Sequence, residues 1–281
     1  MRLLSARLSA KRRSRYAGAV VVLLGLLLTG GLYAALAPAN AQTQSADQST
    51  VAQGRALFLV GCSSCHGKNG EGIVTKSGTQ YGPPLAGVGA AAVDFQVGTG
   101  RMPLARPGVQ AADKEAVYSP QEISQLAAYV ASLGPGPSVP SSSEYDTSDV
   151  DSKAVARGGE FFRTNCTACH NFAGAGGALP GGKYAPSLRH TSPRHIYEAM
   201  LTGPQQMPVF SDQVLKPEEK KDLIAYVEAI RSSPNYGGSP LGSMGPVTEG
   251  LAGWVVGIGA LVCFAVWIAS HSVRSKKGVK A

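Results

Sequence analysis

The chain has 281 residues and a formal charge of +8, enough length for more than one small domain. Arg2, Arg7, Lys11, Arg12, Arg13 and Arg15 supply six of the positive charges and Arg274, Lys276, Lys277 and Lys280 another four, so residues 17–270 carry a net charge of −2. A mildly acidic body with two basic ends excludes the nucleic-acid partner that the total charge invites.

The elements follow in chain order. Residues 1–16 form a basic tail. Residues 17–37, AGAVVVLLGLLLTGGLYAALA, are uncharged and about long enough for a bilayer core of ~30 Å. The run is longer than the apolar region of a secretory signal, yet Ala39-Asn40-Ala41 has the small-residue pattern at which such signals are cut. A retained transmembrane helix is favoured over a signal peptide. Residues 38–50 are small and polar and read as a tether. Two blocks follow, 51–132 and 153–231, separated by the Pro-, Ser- and Gly-rich linker 133–152. Residues 232–250 form an irregular neck. Residues 251–270, LAGWVVGIGALVCFAVWIAS, are again uncharged, with Trp254 and Trp267 near the ends, where amphipathic rings favour a membrane interface. Residues 271–281 are a second basic tail. The positive-inside rule puts both termini in the cytoplasm and residues 38–250 outside. Gly253, Gly257 and Gly259 offer close approach to a partner helix, and Cys263 reads as a small packing residue.

Inside the blocks the pattern is helical. VAQGRALFLV (51–60) carries Leu57, Phe58 and Val60 as apolar positions. SPQEISQLAAYVASL (119–133) has Ile123, Leu126, Tyr129 and Val130 on one face, with Ser119, Pro120 and Glu122 as N-terminal signals. KPEEKKDLIAYVEAI (216–230) repeats it with Leu223, Ile224, Tyr226, Val227 and Ile230. The blocks are repeats of one another. Gly54, Phe58, Cys62, Cys65 and His66 recur as Gly158, Phe162, Cys166, Cys169 and His170, all 104 residues on. YGPPL (81–85) matches YAPSL (184–188), and Met102-Pro103 matches Met207-Pro208. Order kept through small gaps indicates one fold used twice. Neither block has the apolar mass for a good core at ~80 residues, so something other than side chains is expected at its centre.

GCSSCHG (61–67) and NCTACHN (165–171) point to what that is. A disulfide has no need of a His after each pair. A zinc ribbon sets its two Cys-x-x-Cys knuckles about 15–20 residues apart, and a thioredoxin motif needs a βαβ context; neither is present. Cys-x-x-Cys-His is the attachment signature of c-type haem, here two covalently bound haem c: Cys62 and Cys65 for the first, Cys166 and Cys169 for the second. The adjacent His66 and His170 are the iron ligands. Met102 and Met207 follow them by 36 and 37 residues, each before a Pro, and are the second ligands; thioether ligation favours reduced iron. His190 and His195 have no counterpart in the first block and read as surface residues. Met200, on a short helix PRHIYEAML (193–201), reads as packing.

These motifs resemble the class I cytochrome c fold: Gly and Phe before Cys-x-x-Cys-His, Gly/Ala-Pro-x-Leu, Met-Pro, and a last helix with an aromatic. The resemblance implies that the carbonyls of Pro83 and Pro186, 17 and 16 residues after each His, hold the outer imidazole nitrogen. It implies a mainly α fold of two tandem class I cytochrome c domains flanked by an N-terminal and a C-terminal transmembrane helix. The full layout, with the neck GGSPLGSMGPVTEGLAGW and the segments FQVGTGRMP and LTGPQQMP, resembles the dihaem cytochrome c subunit of the actinobacterial cytochrome bc1 complex. That family implies electron transfer from the cytochrome b and Rieske iron–sulfur subunits of a menaquinol-oxidising quinol–cytochrome c reductase, a translocase, to an aa3-type cytochrome c oxidase. It also implies a plasma-membrane location, lipid contact and no bond chemistry of the chain's own. Two other readings stay open: the dihaem subunit of a cbb3-type oxidase, whose pattern lacks a C-terminal anchor, and a dihaem redox enzyme, which would need an open iron position.

Overall fold

The computed structural model describes residues 16–36, 47–233 and 250–276. The basic tail before residue 16, residues 37–46 with the Ala39-Asn40-Ala41 pattern, most of the neck, and residues 277–281 lie outside the described residues; the last residues of the expected tether, 48–50, are instead the first turn of a helix capped by Asp47.

The architecture is mainly α-helical. Helix α1 (Ala17–Leu36) is apolar over its 20 residues. One helical run among the described residues, Gly250–His271, is long and apolar enough to cross a membrane. It contains a π-helical stretch at Gly253–Ile258 and continues as α11 (Gly259–Lys276) into the predicted basic tail. Trp254 and Trp267 are exposed on it, and Trp267 stacks on Phe264 and meets the tilted ring of His271.

Between these helices lie two units built alike. The first has α2 (Gln48–Gly61), the one-turn α3 (Ser63–His66), a hairpin of β1 (Ile73–Val74) and β2 (Gln80–Gly82), then α4 (Gly89–Gly98) and α5 (Pro120–Ala131). The second has α7 (Ser152–Asn165), the one-turn α8 (Thr167–His170), a hairpin of β3 (Gly177–Leu179) and β4 (Lys183–Ala185), then α9 (Pro193–Thr202) and α10 (Pro217–Ser232). Local chemistry sets the boundaries. The Ser119 hydroxyl accepts from the Glu122 backbone N–H while the Glu122 carboxylate accepts from the Ser119 backbone N–H, a complete capping box ahead of Pro120. Ser192 caps α9 through the His195 N–H, again with Pro next.

In each unit the first and last helices cross at the repeated glycine. A Cβ at Gly54 would lie 1.9 Å from the Gln125 carbonyl oxygen, and one at Gly158 the same distance from that of Asp222. Only Gly lets the two backbones meet so closely. Beside each crossing an aromatic pair fills the core, Phe58 with Tyr129 at 5.0 Å and Phe162 with Tyr226 at 5.4 Å between ring centroids. Ile123, Leu126 and Val130 complete the first core, and Leu223, Ile224, Val227, Ile196 and Met200 the second. Val60 is 90 % exposed: it lies two residues from Phe58, on another side of the helix.

The units pack directly on each other through α4 and α9. Arg194 pairs with Asp94 across the contact at 2.6 Å and with Glu198 on its own helix at 3.1 Å. The 133–152 segment is folded onto both units. The Pro137 carbonyl accepts from the Ala91 N–H, and the short α6 (Ser142–Tyr145) accepts the Tyr197 hydroxyl on Glu144. His195 is a correction to its expected surface position: it is half-buried, edge-on to Phe95 at 6.1 Å, because the first unit's α4 covers it. His190 is exposed.

Candidate haem sites

Each Cys-x-x-Cys-His motif begins where a long helix ends. The Cys62 N–H still bonds back to Phe58 and the Cys166 N–H to Phe162. The chain then starts a single new turn, in which the N–H groups of His66 and His170 return to the carbonyls of Cys62 and Cys166. That turn puts the cysteines and the histidine on one short arc. The arc is closed from behind by Gly72 N–H to the His66 carbonyl and Gly176 N–H to the His170 carbonyl, at 2.7 and 2.9 Å.

The imidazoles are fixed from the far side of the hairpins. His66 Nδ1 is 2.8 Å from the Pro83 carbonyl oxygen and His170 Nδ1 is 2.9 Å from that of Pro186. A carbonyl can only accept, so Nδ1 carries the hydrogen and Nε2 keeps its lone pair. Burial lowers the pKa of His170, against the Pro186 bond that raises it, which favours the neutral ring a metal needs. Burial also pushes the Cys62 and Cys166 thiols up to about 11, with the partner cysteine of each motif adding to it. A thiol pair of that kind is opposite to the acidified cysteine of a redox-active motif. All five cysteines are unpaired.

The predicted site residues gather in two clefts. Cys62, His66, Pro83 and Met102 line the first, about 500 Å³, with Leu85, Val97 and Val130 among its apolar walls. Cys65 lies on the same turn, outside that lining. Cys166, Cys169, His170, Pro186 and Met207 line the second, which is narrower at about 110 Å³. The residues present suit a covalently held haem: two sulfurs, an imidazole with a free Nε2, a thioether and a mostly apolar wall in each unit. A further cavity among the described residues, about 880 Å³, lies against α5 and the Pro135–Pro140 segment and is lined by neither Cys nor Met.

Sequence reasoning treated the repeats one at a time and missed what each lends the other. Leu201, Thr202, Gly203, Pro204, Gln205 and Val209 of the second unit line the first cleft. Phe95, Arg101 and Gln110 of the first unit line the second. Pro204 and Gln205 belong to both linings, so one wall separates the clefts. Buried Glu198 was missed as well. Burial and then the carboxylate of Asp94 push it up to about 9.

Comparison with known proteins finds relatives for both units. The family model described as "Cytochrome c" matches residues 51–134, and the model described as "Cytochrome C oxidase, cbb3-type, subunit III" matches residues 153–227. Over nearly its whole length the chain is similar to proteins described as "Cytochrome bc1 complex cytochrome c subunit". The one from Corynebacterium efficiens is 44% identical, covering 93% of this chain and 91% of its own. That from Corynebacterium diphtheriae is 43% identical, covering 95% and 98%, and that from Mycobacterium tuberculosis is 43% identical, covering 95% of each.

Proposed function

The chain belongs to the family of cytochrome bc1 complex cytochrome c subunits, and from that premise we propose that it is a membrane-anchored dihaem cytochrome c. It carries electrons from the Rieske and cytochrome b subunits of a menaquinol-oxidising bc1 complex to a terminal cytochrome c oxidase of the aa3 type. Its part in the quinol–cytochrome c reductase, a translocase, is electron transfer alone. The observation that carries this reading is the donor set built twice, each His tied through Nδ1 to a proline carbonyl.

In this reading residues 51–132 and 153–231 are two class I cytochrome c domains. Cys62 and Cys65 hold the first haem and Cys166 and Cys169 the second, as thioethers. His66 and Met102 ligate the first iron, His170 and Met207 the second. When bound, each haem supplies a one-electron carrier. Pro83 and Pro186 keep Nε2 as the ligating atom, and the apolar walls exclude water. Two protein ligands per iron leave no position for a substrate. Helix α1 and the C-terminal helix both span the membrane, with the basic ends cytoplasmic and both haem domains on the external side.

A second reading, a cbb3-type oxidase subunit, draws on the match over residues 153–227. It covers one unit, whereas similarity to bc1 subunits spans more than nine-tenths of the chain. Purification of the membrane complex in mild detergent, with identification of the co-purifying subunits, separates the two. Cytochrome b and Rieske subunits are expected; a cbb3 catalytic subunit in their place would overturn the proposal.

A further inference from the structure

Arg101 and Met102 are neighbours in the chain and serve different clefts. Met102 lines the first cleft. Arg101 lines the second, with Cys166, His170 and Met207. The Arg101 residue is 9 % exposed. Its guanidinium lies over the ring of Phe95, 4.9 Å from the centroid, and Phe95 is held edge-on from beyond by His195. Among the described residues no carboxylate comes within ion-pair distance of it, and no acceptor takes a hydrogen bond from it. Asp113 acts on it only from beyond pairing distance, and Asp94 and Glu198 both pair with Arg194.

A guanidinium drawn largely out of water is stabilised by a charged acceptor. Its fork of donors matches a carboxylate. The loop that carries it is fixed to the lip of the second cleft: the Gln110 side-chain amide donates to the Tyr184 carbonyl at 2.8 Å and accepts from the Tyr184 N–H at 2.9 Å. Arg101 is therefore held at the edge of the second cleft with its donors open to an acceptor that the occupant carries. A haem c carries two propionate carboxylates.

We propose that Arg101 of the first unit anchors a carboxylate of the porphyrin held by the second unit, so that the second site is completed across the contact between the units. This rests on the reading of the second cleft as a haem site. Arg101 is a positioning residue: it sets the charge beside the second haem and touches neither iron. A cation close to the porphyrin favours the added electron, so its removal lowers the potential of that haem.

The test uses the full-length holoprotein in detergent, as wild type, Arg101→Gln and Arg101→Lys, with haem content measured per chain and each reduction wave followed by spectroelectrochemical titration. The second haem is the wave that moves in Met207→Ala. Arg101→Gln is expected to keep two haems per chain, to lower that wave alone, and to shift the propionate bending band in resonance Raman; Arg101→Lys recovers part of the shift. Two attached haems with that wave unmoved in Arg101→Gln would overturn the proposal. So would a shift of the first wave, or of both equally, which would mark Arg101 as a prop for the Met102 loop. One haem per chain in the wild type would instead remove the dihaem reading itself, and this inference with it.

Discussion

His66 and His170 each commit the Nδ1 hydrogen to a proline carbonyl, and the consequence is chemical as well as geometric. The bond fixes the tautomer, orients the ring and raises the basicity of the nitrogen that remains. In the proposed haem site Met207 would supply the second ligand and tune the potential. Replacement of Met207 by Ala is expected to leave the second haem attached through Cys166 and Cys169 while lowering its potential and slowing reduction of the oxidase; a midpoint equal to wild type would exclude Met207 as ligand. These residues were legible because their meaning lies in short spacings repeated 104 residues apart. Arg101, Glu198 and His195 were not. Glu198 and His195 meet side chains of the other unit and Arg101 lines the other unit's cleft, and no spacing within one repeat encodes that. His195 looked like a surface histidine for the same reason: the helix that buries it begins more than ninety residues earlier.

The helices with a clear period came through the sequence well. Ile123, Leu126, Tyr129 and Val130 share a buried face, as their i, i+3, i+6, i+7 spacing requires. Helix α4 gave no such signal: Ala91, Asp94, Phe95 and Val97 are all buried, enclosed by α5 on one side and α9 on the other, so polar and apolar positions do not alternate. The hairpins, of two or three residues a strand, are too short for any pattern. The repeated glycines were visible, but their purpose is an attribute of the helix pair. Gly158→Ala puts a methyl 1.9 Å from the Asp222 carbonyl oxygen, so α7 and α10 must move apart. The expected cost is about 1–3 kcal/mol, as for an overpacked core. Thermal melting of the purified protein measures it, with Gly108→Ala, where the nearest atom to the added methyl is 3.7 Å away, as the nearly neutral control. Equal melting temperatures in the two variants would refute the close-crossing account.

Across the whole molecule, the contact between the units is held by a cluster with an ionic price on folding. Glu198 is fully buried and titrates near 9 against an ordinary 4.5, so the folded protein holds it neutral where the unfolded chain ionises it. Below pH ~4.5 both states are protonated and the full contribution is present. As pH rises towards 9, folding takes up a proton and stability falls. Glu198→Gln removes that slope. Its melting temperature relative to wild type is expected to rise by a few degrees between pH 5 and pH 9, and two parallel curves would refute the assignment. The Pro-rich segment after α5 has a further consequence. With Pro137 bonded to Ala91, Glu144 to Tyr197, and Lys221 to Asp149 at 2.7 Å, the two units cannot swing about it as on a tether. On the dihaem proposal the gap between the clefts becomes a fixed tunnelling distance, so diffusion would drop out of the step between the two haems and stay only at the two ends of the relay, where donor and acceptor dock.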